Sequence, residues 1–325
     1  MWSDSRLIEI SKQFIPTTDE VWRLQGAQDR DALMFQEMAN KGHYRKVGGS
    51  RQGIYICSPS GELLGSVNSL NPDVVLEVIQ RGLDTWGQLP VDKKKLPEDF
   101  TKDIEHRWED SYPKDGLILK GTKADLLSDP PKFSERGDRW NMDYIWFNKN
   151  EAKKWLPKNY IKGEAIECPR IIKNRLFRFH LVDNVRGQTL PFAPQEIKKS
   201  KLQVEIVAVD NLELKINIIG SSLAIAKGPW LLGENDWTPN HVLDHSIETN
   251  VLGSAVYNIT EEKFKHFELV IIGRWNGKTQ NNGRKFGPND GHIGIVYNIA
   301  EDTYINKIAP AFVDLYNADW ITQPQ

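Results

Sequence analysis

A chain of 325 residues with 39% hydrophobic and 26% charged side chains has the balance of a globular protein and the length for two domains. Its net charge of −2 supplies no basic field for nucleic acid or an anionic membrane, and its longest apolar runs, such as "ELVIIG" and "INIIG", have strand length rather than membrane-spanning length. Two widely spaced cysteines, Cys57 and Cys168, exclude a disulfide framework and a Cys/His zinc spacing.

The N-terminus, "MWSDSRLIEISKQF", is acidic and amphipathic without an apolar core. It reads as a helix rather than a signal peptide, which points to a cytoplasmic chain; a segment ahead of Met1 is compatible with this reading. Leu7, Ile10 and Phe14 share one face of that helix. "FIPTTDEVW" reads as a short strand and loop. A second helix follows in "DRDALMFQEMANKG", with Leu33, Met34 and Met38 at helical spacing and Gly42 as its stop. "GIYIC" and "LLGSV" read as strands joined by the Pro/Gly turn "SPSGE". Cys57, in the first of them, is expected to be a small buried hydrophobe. "NPDVVLEVIQRGLDTW" starts a helix with Asn71 as cap and Pro72 at the first position, and Val75, Leu76, Ile79 and Leu83 form its apolar face. The order α-β-α-β-β-α defines a first domain over residues 1–87.

Residues 88–116, rich in Lys, Glu and Pro, read as a solvated linker anchored by Trp108 and Tyr112. Residues 117–325 are strand-rich: "LFRFHLVDNV", "LQVEIVAVDNLELKINIIG", "GSAVYNI", "HFELVIIGRW" and "HIGIVYNI" combine β-branched residues with alternation. Asp210-Asn211 sits at hairpin spacing, and "NNGRKFGPNDG" carries Asn-Gly turn chemistry. Short helices are expected in "NKNEAKKWL" and "APQEIKKS". The expectation is an α+β chain whose second domain is a mainly antiparallel sandwich or bent sheet with peripheral helices.

No Gly-x-Ser-x-Gly elbow, complete phosphate loop or dinucleotide fingerprint is present, so no cofactor is expected. "LDHS" (Asp244, His245, Ser246) reads as a polar loop, because a triad is assembled in space and not from neighbours. His241 and His245 are four apart but lie in a poor helix without the glutamate of a zinc-protease motif, so no metal site is assigned. Two stretches concentrate polar chemistry. In "RFHLVDNVRGQTLPF", read as a strand and its exit, Arg178, His180, Asp183 and Arg186 with Gln188 form a ligand floor, or alternatively a buried ion-pair network or a solvated face. In "KGPWLLGENDWTPNH", Trp230 and Trp237 bracket Glu234, Asn235 and Asp236, which suits a sugar or cationic group as well as it suits a tryptophan-stapled loop.

"FIPTTDE", "GGSRQGIYICSPSGELLGS" and "PDVVLEVIQRGL" together give the first quarter of the chain a resemblance to the thioredoxin-like superfamily. The resemblance implies an α/β domain. Trp2-Ser3-Asp4-Ser5 stands where an active member carries its two cysteines, and Gln52 where it carries a cis-proline, so disulfide exchange is not expected. The second domain is similar to regions that follow such domains in bacterial proteins without an assigned activity. The reading that results is a redox-inactive, two-domain protein for protein interaction or the binding of a small polar ligand, with no nucleic-acid or membrane partner. Its surface around Trp2, Ser3, Ser5, Arg51 and Gln52 would meet a partner. The second reading is a hydrolase or transferase with His180, Asp183, Arg186, Glu234 and Asp236 as its site. In a third, a partner chain or upstream segment supplies the missing thiols.

Overall fold

A computed structural model of the chain describes residues 2, 4–19, 21–44, 51–98, 111–126, 140–187, 189–210, 212–227, 244–277, 282, 284 and 289–311. Its contacts divide the chain into two units, residues 1–105 and 106–325. No helix among the described residues is long and apolar enough to cross a membrane.

In the first unit, helices α1 (Ser5–Ser11), α2 (Val21–Gly26) and α3 (Arg30–Lys41) precede strands β1 (Ile54–Cys57) and β2 (Leu63–Val67) and helix α4 (Pro72–Gln88). Residues 15–19, where a strand was expected, carry no regular structure, and α2 follows them. The N-cap carboxylate of Asp4 accepts from the Arg6 amide to start α1, and the Asn71 side chain accepts from the Asp73 amide to start α4. Gly61, at φ +85°, makes the turn of the β1–β2 hairpin, a conformation that favours glycine. Leu7, Ile56, Val75, Val78 and Ile79 form the core, with Ile10 and Phe14 packed against it.

Two positions differ from the expectation. Cys57 is exposed at the end of β1, because strand alternation turns Ile56 inward and Cys57 outward. Burial of part of its surroundings still raises the Cys57 pKa, which disfavours a reactive thiolate. In α3 the buried residues are Ala32, Met38 and Ala39, while Leu33 and Met34 face out.

The second unit is built on one antiparallel sheet. Its strands are β3 (Leu117–Asp125), β4 (Trp140–Phe147), β5 (Ala165–Glu167), β6 (Ile197–Val209), β7 (Glu213–Ala226), β8 (His245–Asn258), β9 (Lys263–Asn276) and β10 (Asp290–Ile299). They lie in the order β4-β3-β10-β9-β8-β7-β6-β5. All the described strands of this unit belong to this sheet, so the second sheet of a sandwich is not among the described residues. The β6–β7 hairpin forms where expected, with the Asp210 carboxylate accepting from the Glu213 amide. "LDHS" is no loop at its end: His245 and Ser246 open β8, and His245 is buried and stacked on Phe192. "APQEIKKS" gives only a single 3₁₀ turn (Pro194–Glu196) before β6 begins.

The segment expected as the strand "LFRFHLVDNV" is helical. Helix α6 (Arg170–Asn174) runs on as a π-helical turn over Arg175–His180. All six residues of that turn are buried. A helix buried on all sides has no polar stripe, so its apolar run cannot be told from a strand by periodicity alone. Together with Trp155, at the end of α5 (Lys149–Lys153), it fills the inner side of the sheet: Ile172, Leu176 and Phe177 share one core with Leu119 of β3, Val204 of β6, Ile218 of β7, Val251 of β8 and Ile271 of β9. Burial of each such side chain stabilises by roughly 1.5–3 kcal/mol before chain entropy is counted.

Candidate functional site

The four residues expected along one strand lie on the buried helical turn and its exit, where His180 joins one charged cluster, Asp183 and Arg186 join a second, and Arg178 joins neither. Arg178 and His180 belong to the turn, which the sheet's inner face surrounds. Asp183 and Arg186 follow it as the chain leaves the helix.

The first cluster is organised by Asp143 of β4. Its Oδ2 receives the Tyr297 hydroxyl at 2.7 Å and His180 Nδ1 at 2.9 Å, and pairs with Lys123 Nζ at 3.0 Å. Lys123 Nζ also donates to the His180 carbonyl at 2.6 Å, and Asp143 Oδ1 accepts from the Tyr144 amide at 2.9 Å. An ionised carboxylate only accepts, so His180 carries its proton on Nδ1. Lys123 and His180 are 0% exposed and Asp143 is 4% exposed. Burial opposes ionisation of Asp143, but the Lys123 ammonium and the donors from His180 and Tyr297 hold its pKa well below the ordinary carboxylate range. Burial lowers the pKa of His180 in spite of Asp143, and raises that of Tyr297 well above normal. The group at neutral pH therefore holds an ionised Asp143 with a neutral imidazole and a neutral phenol.

Sheet register explains how Tyr297 reaches Asp143. Tyr297 of β10, Gly121 of β3 and Asp143 of β4 occupy one row across three strands. A Cβ on Gly121 would sit 2.2 Å from Tyr297 Cε1. The glycine thus leaves the space through which the ring passes to the carboxylate.

The second cluster is held by Arg284. Its Nε and Nη2 donate to the two carboxylate oxygens of Asp183, each at 2.6 Å, while Nη1 and Nη2 donate to Asp125 at 3.1 and 2.7 Å. Arg186 Nε donates to Asp125 Oδ2 at 2.6 Å, and the Arg284 guanidinium lies 3.8 Å from the centre of the Trp275 ring. Burial acts against ionisation of Asp125, but the hydrogen bonds and charges of Arg284 and Arg186 bring its pKa below normal. For Asp183 burial dominates and raises the pKa against the fork of Arg284. Arg178 is buried outside both clusters: its Nε donates to the Phe192 carbonyl at 2.7 Å, and burial lowers its pKa to about 10.

Lys123, Asp125, Asp143, Tyr297 and Arg284 were not among the residues expected from sequence. A signal existed for three of them. Lys123 and Asp125 continue the inward phase of Leu117, Leu119 and Gly121, and Asp143 shares the inward phase of Ile145 and Phe147; a charge at a core position of a strand needs a partner. Arg284 lies in a turn-rich stretch with no such phase. Gln188 and the whole stretch from Trp230 to Trp237, with Glu234, Asn235 and Asp236, lie outside the described residues, as do His241 and Ser3.

In the first unit Trp2 is exposed and Ser5 opens α1. Arg51 and Gln52 lie just before β1. The Arg51 amide donates to Gln25 Oε1, the Arg51 carbonyl accepts from the Tyr55 hydroxyl at 2.7 Å, and the Gln52 carbonyl lies 3.2 Å from His43 Nε2. His43 in turn lines an open cleft of about 520 Å³ with Lys41, Gly42 and Leu63, Leu64, Gly65 and Ser66 of β2. His43 thus connects the cleft to Gln52.

Among the described residues no group of three or more His, Cys, Asp or Glu side chains is arranged to hold a metal ion. Comparison of the chain with protein-family models, with curated proteins and with solved structures gave no match.

Proposed function

We propose that the chain is a binding protein whose strand-rich unit meets its partner through the outer face of the sheet. The observation that carries this reading is a band of apolar side chains on that face. Ile219, Leu252, Val270, Val296 and Met142 lie in one register row from β7 to β4, interrupted only by Thr122, and all five are exposed. Ile272 and Trp140 belong to the adjacent row, with Gly294 and Ala124 between them, and Ile272 is 56% exposed. Contiguous apolar surface of this extent marks a contact site far more often than scattered exposed residues do.

The charged residues support the same reading by their burial. A catalytic acid, base or anion-binding arginine must reach a substrate, whereas Asp143, His180 and Arg284 are enclosed and bonded to protein groups. The first unit enters the proposal as a thioredoxin-like domain in which Ser3 and Ser5 replace the thiols. Its cleft beside Arg51 and Gln52 offers a peptide or polar ligand the backbone of β2 and the His43 ring.

The test uses an apolar, environment-sensitive dye of the anilinonaphthalene type on the folded full-length protein, diluted until the dye signal per chain no longer changes, so that any self-association through the face has dissociated. Leu252→Asp with Ile272→Asp should abolish most of the native-state fluorescence enhancement while the far-ultraviolet dichroism stays unchanged. An enhancement that survives both substitutions would place the apolar surface elsewhere and refute the proposal.

A further inference from the structure

We propose that the occupant of the outer face is a second copy of this chain, packed sheet on sheet about a two-fold axis parallel to the strands between β8 and β9; this rests on the binding role proposed for that face. Sequence supplies the first argument. An antiparallel sheet with one wet face alternates apolar and polar residues, yet β9 carries Leu269, Val270, Ile271 and Ile272 in succession, with Val270 and Ile272 outward. Such a run belongs to a strand covered on both sides. The exposed area is also of interface size. The seven exposed side chains of the band, with Leu126 beside Gly294, present on the order of 700 Å², against roughly 800 Å² that each partner contributes to a standard interface and the 300–600 Å² of an ordinary largest patch.

Self-complementarity is the third argument and the one that selects a second copy. A two-fold interface requires each residue to face a suitable residue of the same surface. The proposed axis divides the eight strands into four and four, so β8 faces the partner's β9, β7 its β10, and β6 its β3. Position by position, Leu252 then meets Val270, and Ile219 meets Val296. In the row of Glu248 and Arg274 the carboxylate of one copy meets the guanidinium of the other, at both ends of the pair, and the guanidinium also pairs with Asp290 of its own chain. In the row running through Glu205, Asn217, Ser254, Glu268, Asn298 and Lys120, Glu268 meets Ser254 and Asn217 meets Asn298, while Lys120 at the end of the row is held by Asn306 of its own chain. No like charges face each other in these rows. Packed sheets cross at about 30°, so the match is tightest near the axis, where the apolar residues lie.

Sedimentation velocity of the full chain tests this, with dye binding recorded on the same samples. The wild type should sediment as a dimer at low-micromolar concentration. Leu252→Asp should raise the dimer dissociation constant by roughly 100-fold or more, since one substitution places two charges in the centre of the interface. Glu248→Arg should weaken the dimer about 10-fold, and adding Arg274→Glu to the same chain should recover most of that loss, a result that simple surface damage does not produce. A wild type that stays monomeric at ~100 μM, well above the concentration a standard interface needs, overturns the second copy as occupant. If such a monomer still binds dye in a Leu252-dependent way, the face serves another apolar partner and the binding role stands. A dimer indifferent to Leu252→Asp and to Glu248→Arg overturns the assignment of the interface to this face.

Discussion

Replacing Gly121 with alanine adds one methyl group to the middle of a strand, a change that usually helps because it removes backbone freedom from the unfolded chain. Here it should be costly. The new Cβ would lie 2.2 Å from Tyr297 Cε1, 2.4 Å from Cδ1 and 3.0 Å from Cζ. Carbon atoms rest at about 3.5 Å or more, so the ring must withdraw by about 1.3 Å. A shift of that size takes the phenol out of reach of Asp143, which it meets at 2.7 Å. The loss combines a hydrogen bond to a buried charge, about 1.5–3 kcal/mol, with overpacking of about 1–3 kcal/mol, less the roughly 0.5–1 kcal/mol that alanine returns. The expected destabilisation is about 3 kcal/mol. Urea unfolding followed by tryptophan fluorescence measures it, read on the transition of the strand-rich unit, because two units need not unfold together. In a Tyr297→Ala background the same methyl group loses its three nearest neighbours, so its cost should fall below about 1 kcal/mol and the double-mutant cycle should show strong coupling. An unchanged midpoint for Gly121→Ala alone, or equal costs in both backgrounds, would refute the row of Tyr297, Gly121 and Asp143.

Tyr297→Phe keeps the ring and removes one donor from Asp143, and should cost about 2 kcal/mol in the same assay; a neutral result would mean the hydroxyl is not bound there. Acid should weaken the fold through two groups whose folded pKa values are lowered. His180 takes up a proton near 6.5 only when unfolded, and Asp143 lends stability that is present above about 3.8 and lost as pH falls further. Stability should therefore drop as pH falls below 6.5 and again below 3.8, with the second drop reduced in Asp143→Asn; stability that rises on acidification contradicts both shifts. Cys57, being exposed, should tolerate Ala or Ser within about 0.5 kcal/mol and react with a thiol reagent in the native protein at mildly alkaline pH, whereas protection from the reagent would place it in the core after all.

Much of the framework was legible from residues. Asn71 and Pro72 announced α4, the turn at Gly61 announced the β1–β2 hairpin, and Asp210 announced the one between β6 and β7, because caps and tight turns are decided by a few local side chains. What misled was burial on all sides. The stretch from Arg175 to His180 mixes aromatic, aliphatic and charged residues in a way that satisfies strand alternation, and only the sheet around it explains why a helix is stable there. Cys57 was assigned the wrong phase of a four-residue strand, too short for alternation to decide by itself. The candidate site was partly legible: Arg178, His180, Asp183 and Arg186 were singled out, and a buried ion-pair network was one of the readings offered. Their partners came from strands distant in sequence and, for Arg284, from a stretch without periodicity. The outer band escaped notice because its members fall one or two to a strand and meet only through the register.

On the proposed function, the charges of the strand-rich unit hold the fold together and leave recognition to its surface. Urea unfolding of Arg284→Met, with dye binding on the same samples, tests it most directly. This change leaves Asp125 with Arg186 alone and removes both donors that Arg284 gives to Asp183. Breaking a buried pair in this way should cost about 3–5 kcal/mol and leave dye binding to the outer face of the folded protein unchanged. Unchanged stability together with lost binding would contradict the account and identify the arginine–aspartate cluster as the site.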